Sequence, residues 1–289
     1  MMEPSSGAEA AALPEQVVGA YTQRYPLRHD ELGAGGYFLP APLVGVLQEA
    51  AVDGSASRGF PLPYYHRERA FWMLRRISFC YRRPLRHDDQ LMVTTWVSRV
   101  GKTSPTREYR MQTASGEPIA RVRTFWVYVD VTTGRSKDIP DDLRAGFAPT
   151  DEPLEQVLDV PGGSLDPAAP TIERTCDASW SDVDWSGHVK CCSYVRWLED
   201  LLTDTFVRAG ERPGVTGLTS FDLQFLAATK AGDRLSLRAQ AGAAWKAELA
   251  TDQGQVVALA TLWPMQVDRR LTTFAPVAAE RLAQIRAAT

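Results

Sequence analysis

The stretch SWSDVDWSGHVKCCSYVRWLED, residues 179–200, gathers the side chains best suited to chemistry. Asp182 and Asp184 stand two apart, and Ser186, Gly187 and His188 follow before the chain turns apolar. A carboxylate can attack a carbonyl or activate water, and an imidazole changes charge near neutral pH. If the following helix opens at residue 188, the amides of Gly187, His188 and Val189 are free to stabilise a developing oxyanion. Asp184 is then the nucleophile or general base, and His188 orients the substrate or carries a proton. Ser186 has an N-cap side chain and lies between them. Gly187 and Val189 would lie against substrate, with Gly187 allowing close approach to the backbone. The plainer alternative is that Asp184 and Ser186 only cap the helix, a role worth about 1 kcal/mol. Glu199 lies further along the same helix. A buried carboxylate needs a partner or a raised pKa, so Glu199 is either a second catalytic base or a partner of Arg196.

These residues need a frame, and the chain writes one pattern twice. In the first half YTQRYPLR reads as a strand, HDELGAGGYF as a loop and LPAPLVGVLQEAAVDGSASRG as a helix, expected over 40–57. Four strands follow, with alternation such as Ile77, Phe79 and Tyr81 against Arg76, Ser78 and Arg82. In the second half TIERTCDAS is the strand, WSDVDWSG the loop and HVKCCSYVRWLEDLLTDTFVRAG the helix, expected over 188–208. Four strands follow again. Apolar residues cover much of both helices, so both are expected to be enclosed, with Gln48 and Glu49 as isolated polar members of the first. Gly210 is the expected C-cap of the second. The reading is α+β. Each long apolar helix is wrapped by an antiparallel sheet, and the two sheets join edge to edge into a double hotdog that hides its edge strands.

The divisions expected are a disordered tail at 1–19, a first unit at 20–145, a Pro- and Gly-rich linker at 146–170, a second unit at 171–267 and an extension at 268–289. In the first unit Phe38 is aligned with His188, so this half lacks the chemistry and is expected to wall a substrate tunnel. Leu43, Leu47, Phe71, Trp72 and Met73 are its candidate wall residues. Arg75, Arg76, Arg82, Arg83 and Arg86 cluster on one strand and its turn, where an acidic or phosphorylated partner could dock.

The composition narrows the function. Across 289 residues the net charge is −3, which does not suit a nucleic-acid binder. No apolar run reaches membrane-spanning length. The N-terminus has neither the basic region nor the apolar core of a signal peptide, and a cytoplasmic protein is expected. Cys80, Cys176, Cys191 and Cys192 show no metal-binding spacing, so no metal is expected.

Trp180, Ser181, Asp182, Asp184, His188, Val189 and Tyr194 follow a motif close to W-S-D-x-D-x-N-x-H-V-x-x-x-x-Y. With LQEAA, DDQLMVTTWVSRVGK and RTFWVYVDVTTGRSKDIPDDL, they make the chain resemble the acyl-acyl-carrier-protein thioesterases of plants and bacteria over roughly residues 20–265. The resemblance implies a double hotdog that hydrolyses an acyl thioester, on acyl carrier protein (ACP) or coenzyme A, in fatty acid or polyketide metabolism. It implies no cofactor, and it places the site at Asp184 and His188. Ser186 replaces the family's Asn, and the family's Glu-Cys pair aligns near Leu226 and Ala227, both apolar. The residues leave two alternatives open: a dehydratase or cyclase acting on a carrier-bound polyketide, and a non-catalytic acyl-binding protein. The expected assembly is a monomer imitating a hotdog dimer, with a higher homo-oligomer left open.

Overall fold

A computed structural model describes residues 17, 19–150, 153–155 and 159–287. The tail expected at 1–19 lies almost wholly outside the described residues. The first half runs β1 (Tyr21–Tyr25), α1 (Pro40–Ala56), α2 (Leu62–Arg67), β2 (Ala70–Tyr81), β3 (Leu91–Val100), β4 (Pro105–Thr113), β5 (Pro118–Asp130) and α3 (Asp141–Gly146). The second runs β6 (Ile172–Asp177), α4 (Cys191–Arg208), β7 (Thr216–Phe225), β8 (Arg234–Gln240), β9 (Trp245–Thr251), β10 (Val256–Val267), β11 (Phe274–Pro276) and α5 (Ala279–Ala287). A single 3-10 turn precedes each long helix, at His29–Glu31 and Trp180–Asp182.

All strand pairs are antiparallel, and the sheet order is β1-β3-β4-β5-β2-β7-β10-β9-β8-β6, with β11 on β10. The order is a palindrome of the two halves about the β2–β7 pair. At that pair the rings of Phe79 and Phe221 stack with centroids 5.3 Å apart. Helices α1 and α4 touch each other. Helix α1 also packs on β1 and β3, and α4 on β6, β7 and β8.

The period-two reading of β2 holds on the core side, where Ile77, Phe79 and Tyr81 are buried. It misses a feature of the other face, where Ser78 is buried as well. Asp222 of β7, fully buried, accepts hydrogen bonds from Arg76 Nε and Nη2, both at 2.7 Å, and from Ser78 Oγ at 2.6 Å. The linker covers this face. Asp159 pairs with Arg76, the carbonyls of Leu154 and Glu155 accept from Arg123 and Arg121, and Asp166 bonds Gln240.

Helix α4 ends as its sequence predicts. Gly210 adopts φ +85°, and the amides of Gly210 and Glu211 return to the carbonyls of Val207 and Phe206. Its start differs from the expectation. The helix opens at Cys191, three residues after the predicted 188, and its N-cap is Lys190, which makes no side-chain cap.

Candidate active site

Residues 183–189 form a tight hairpin that is not part of the helix. Val183 and Val189 bridge antiparallel, Asp184 N–H donates to His188 O at 2.9 Å, and Gly187 N–H donates to Asp184 O at 3.0 Å. Gly187 takes φ +79°, the left-handed conformation that closes a three-residue hairpin loop. Two of the three amides expected to serve as oxyanion donors are therefore engaged, Gly187 with Asp184 O at 3.0 Å and Val189 with Thr229 O at 2.9 Å. Asp184 and Ser186 do not cap α4. Asp184 instead stabilises the turn, its Oδ1 accepting from the Ser186 amide at 2.8 Å.

The side chains form a row. Ser186 Oγ donates to Asp184 Oδ1 at 2.6 Å and lies 3.1 Å from His188 Nδ1. A carboxylate only accepts, so the single hydroxyl proton goes to Asp184. His188 Nδ1 must then carry a proton and donate to Ser186, which in the neutral ring leaves Nε2 with its lone pair. Asp184 is exposed, and Ser186 and His188 are half-buried.

The neighbouring Asp182 has a different task. It is buried, takes hydrogen bonds from the Ser179 amide and hydroxyl at 2.9 and 2.7 Å and from Ser193 Oγ at 3.0 Å, and pairs with Arg196. Burial raises its pKa, but these hydrogen bonds, led by Ser179, outweigh it and hold the carboxyl below its usual range. Asp182 fastens the loop to α4, whereas Asp184 lines the cavity.

The row opens into a cavity of about 270 Å³. Asp184, Trp185, Ser186, His188 and Val189 line it from the hairpin, and Cys191 and Tyr194 from α4. From the first half, Phe71, Trp72 and Met73 line it, and the ring of Phe71 lies 6.5 Å from that of His188. Gly187 is outside the lining. Leu43 and Leu47 are also outside it. Both are buried in the core on a different side of α1 from Gln48, Ala51 and Val52, which do face the cavity. Ala227, where the resemblance expects part of an acidic and thiol pair, lines the cavity, while Leu226 is exposed.

Glu199 is not beside Asp184. Its Oε1 accepts the Ala41 amide at 2.8 Å, so it satisfies one of the free N–H groups at the N-terminus of α1. Burial pushes its carboxyl up to about 8, against the opposing Ala41 bond.

The first half contains a twin of the hairpin. Leu32 bridges Phe38, Gly33 N–H donates to Tyr37 O, Gly36 N–H donates to Gly33 O, and Gly36 has φ +79°. In this register Gly33, Gly35 and Tyr37 occupy the places of Asp184, Ser186 and His188. Tyr37, one residue before the expected Phe38, is thus the counterpart of the histidine. The register also pairs Gln48 with Glu199 and Ala41 with Cys192. Gln48 lines the cavity, as does Cys191 at the start of α4. Its signal in the sequence is a lone amide in an apolar helix.

The cationic cluster proposed for docking is largely paired internally. Arg76 binds Asp222 and Asp159, Arg83 binds Asp89 and Glu117, and Arg86 binds Asp88 and Asp89. Arg75 lines the cavity and donates to Leu226 O. Among the described residues no group of His, Cys, Asp and Glu is arranged to hold a metal, and no helix is long and apolar enough to cross a membrane.

Comparison with known proteins gives relatives in sequence and in fold. Residues 19–147 match the family model of the acyl-ACP thioesterase N-terminal domain. The palmitoyl-acyl carrier protein thioesterase of Gossypium hirsutum, a chloroplastic protein, is 26% identical over 189 residues, which cover 62% of this chain and 46% of that protein. The dodecanoyl-[acyl-carrier-protein] hydrolase of Umbellularia californica is 22% identical over 217 residues, covering 71% of this chain and 55% of its own. The chain thus spans about half the length of the curated relatives it matches. An acyl-ACP thioesterase from Bacteroides thetaiotaomicron superposes with a TM-score of 0.71 at 19% identity, over 86% of this chain and 98% of that one. The 12:0-ACP thioesterase from Umbellularia californica gives 0.72 at 17% identity, over 85% and 97%. In sequence and in its hotdog fold, the chain resembles the acyl-ACP thioesterases.

Proposed function

We propose that the protein hydrolyses an acyl thioester and releases the acyl chain, with acyl-ACP as substrate. The observation that carries this reading is the Asp184–Ser186–His188 row at the mouth of a mainly apolar cavity. The acyl chain enters the cavity and its carbonyl stays at the mouth. His188 Nε2 takes a proton from water as the water attacks, and the imidazolium formed is stabilised by Asp184 through the Ser186 hydroxyl. Cys191 and Cys192 open α4, and first-turn amides have no acceptor within their helix. They and the Gln48 amide are the oxyanion donors of this reading, supported by the helix dipole. The proton on His188 then passes to the leaving thiolate. Ser186 fills the place of the family's Asn as a relay that both donates and accepts.

Each half is a hotdog wrapping its own helix, and one chain stands in for a dimer whose site draws on both halves. The reaction is assigned to the cytoplasm. Nothing in the comparisons favours the dehydratase, cyclase or non-catalytic alternatives. A panel of acyl-ACP and acyl-CoA thioesters, assayed for free thiol and for altered acyl product, tests the proposal. Thiol release that disappears in His188→Ala supports it. An acyl group changed but still on its carrier sinks it.

A further inference from the structure

One wall of the cavity is not what an alkyl chain needs. Strand β4 points Pro105, Arg107, Tyr109 and Met111 to one face, and Tyr109 and Met111 are fully buried there. Arg107 is 7% exposed and stands, with Phe147 and Val97, between the cavity and a small adjoining pocket lined by Gly54, Arg58 and Thr95. Its guanidinium lies 5.8 Å from the Phe147 ring and donates from Nη1 to Thr95 Oγ1 at 3.3 Å. It makes no ion pair with any described residue. A guanidinium stays charged and offers several N–H donors, so an enclosed one without an anion is costly. Burial lowers its pKa, and the nearby Arg58 cation acts in the same direction.

The surroundings are built around this cation. Gly54 of α1 makes room for it, since a Cβ there would lie 3.2 Å from Arg107 Nη1. At the next residue, Ser55 Oγ donates to Phe60 O at 3.0 Å and accepts from Tyr65 Oη at 2.6 Å, and both Ser55 and Tyr65 line the cavity. This polar end is remote from the reacting end. His188 meets Phe71 of β2, whereas Arg107 lies on β4, two strands away across β5, or about 10 Å across the sheet.

We infer that the acyl group taken by this site ends in a carboxylate, held at its far end by Arg107 with Ser55 and Tyr65 beside it. The substrate class is then the half-thioester of a dicarboxylic acid. The inference rests on the thioester reading of the same cavity. A carboxylate matches the guanidinium fork and supplies the missing charge, whereas a methyl end would leave both unpaired.

The test compares CoA half-thioesters of dicarboxylic acids with methyl-ended acyl-CoA thioesters of matched length, on the full chain. Wild type is expected to favour the carboxylate-ended series in kcat/KM by at least about tenfold. Arg107→Met should bring that ratio to one or below, and Arg107→Lys should leave it between the two. Calorimetry of wild type with free dicarboxylic acids and with uncharged diols of matched length provides a readout that needs neither turnover nor a folded variant. The diacids are expected to bind at least about tenfold tighter. Cleavage of both series with no preference, or with a preference for methyl ends, overturns the inference and leaves the hydrolytic reading standing. If no thioester is cleaved, the hydrolytic reading fails and the calorimetry alone decides: tighter diacid binding sustains Arg107 as an anion site, and equal binding removes it.

Discussion

Ser186 has one proton to give, and its direction organises the hairpin. Because that proton goes to Asp184, His188 must donate from Nδ1 and present Nε2 to the cavity. Asp184→Asn keeps an acceptor for the hydroxyl but removes the charge that stabilises an imidazolium. Turnover should fall by about a hundredfold or more, with the melting temperature close to wild type. If steady-state assays show full turnover in that variant, Asp184 only shapes the turn. Ser186→Ala cuts the relay and frees the ring to adopt the other tautomer. It should lower kcat by about tenfold or more with little change in KM. Glu199 yields a prediction of another kind, because its carboxyl is raised from 4.5 to about 8. Between those pH values the folded chain holds a proton that the unfolded chain has released, so Glu199 makes stability fall as pH rises. Glu199→Gln imitates the protonated acid and can still accept the Ala41 amide. Thermal melts from pH 5 to 8 should therefore slope less steeply in the variant; an unchanged slope would show that another group sets the dependence.

At the scale of elements, what can be read from sequence depends on how local its cause is. Strand β2 shows its core face through Ile77, Phe79 and Tyr81, and Gly210 announces the end of α4, because both are local signals. The start of α4 is not local. Ser186-Gly187-His188 looks like a helix entrance, yet the Val183–Val189 bridge and the Thr229 carbonyl make it a hairpin, and Thr229 is forty residues away in sequence. Asp184, Ser186 and His188 can thus be picked out as residue types, while the tautomer and the engaged amides cannot. Gln48 and Arg107 are harder still, because their partners lie on other elements. The β2–β7 junction follows the same rule. Asp222 looks like an ordinary strand acid in sequence, but it is fully buried and holds Arg76 and Ser78 across the seam. Asp222→Ala would strand a largely buried guanidinium, and chemical denaturation should show a loss of about 3 kcal/mol or more. A loss below about 0.5 kcal/mol would mean that Asp159 alone satisfies Arg76.

At the scale of the whole molecule, two copies of one pattern could give two sites, and the packing leaves room for one. The first hairpin keeps the backbone of its twin, but Gly33 and Gly35 replace the acid and the hydroxyl. A side chain at Gly35 would not fit, since its Cβ would lie 2.5 Å from Gly214 O. Tyr37, in place of the histidine, is fully buried, and Phe274 of β11 stacks edge-on against it at 6.2 Å. The place that Gln48 takes at the open cavity is held on this side by Glu199, tied to the Ala41 amide. The C-terminal extension reinforces the closure, with Phe274 also 5.1 Å from Tyr81. Divergence of the halves has thus turned one potential site into core while the other keeps its cavity. Calorimetric titration with a non-hydrolysable acyl thioester analogue should saturate at one ligand per chain. His188→Ala should retain that stoichiometry, because the cavity is formed by both halves and not by this ring alone. A stoichiometry near two would mean that the Tyr37 side opens in solution.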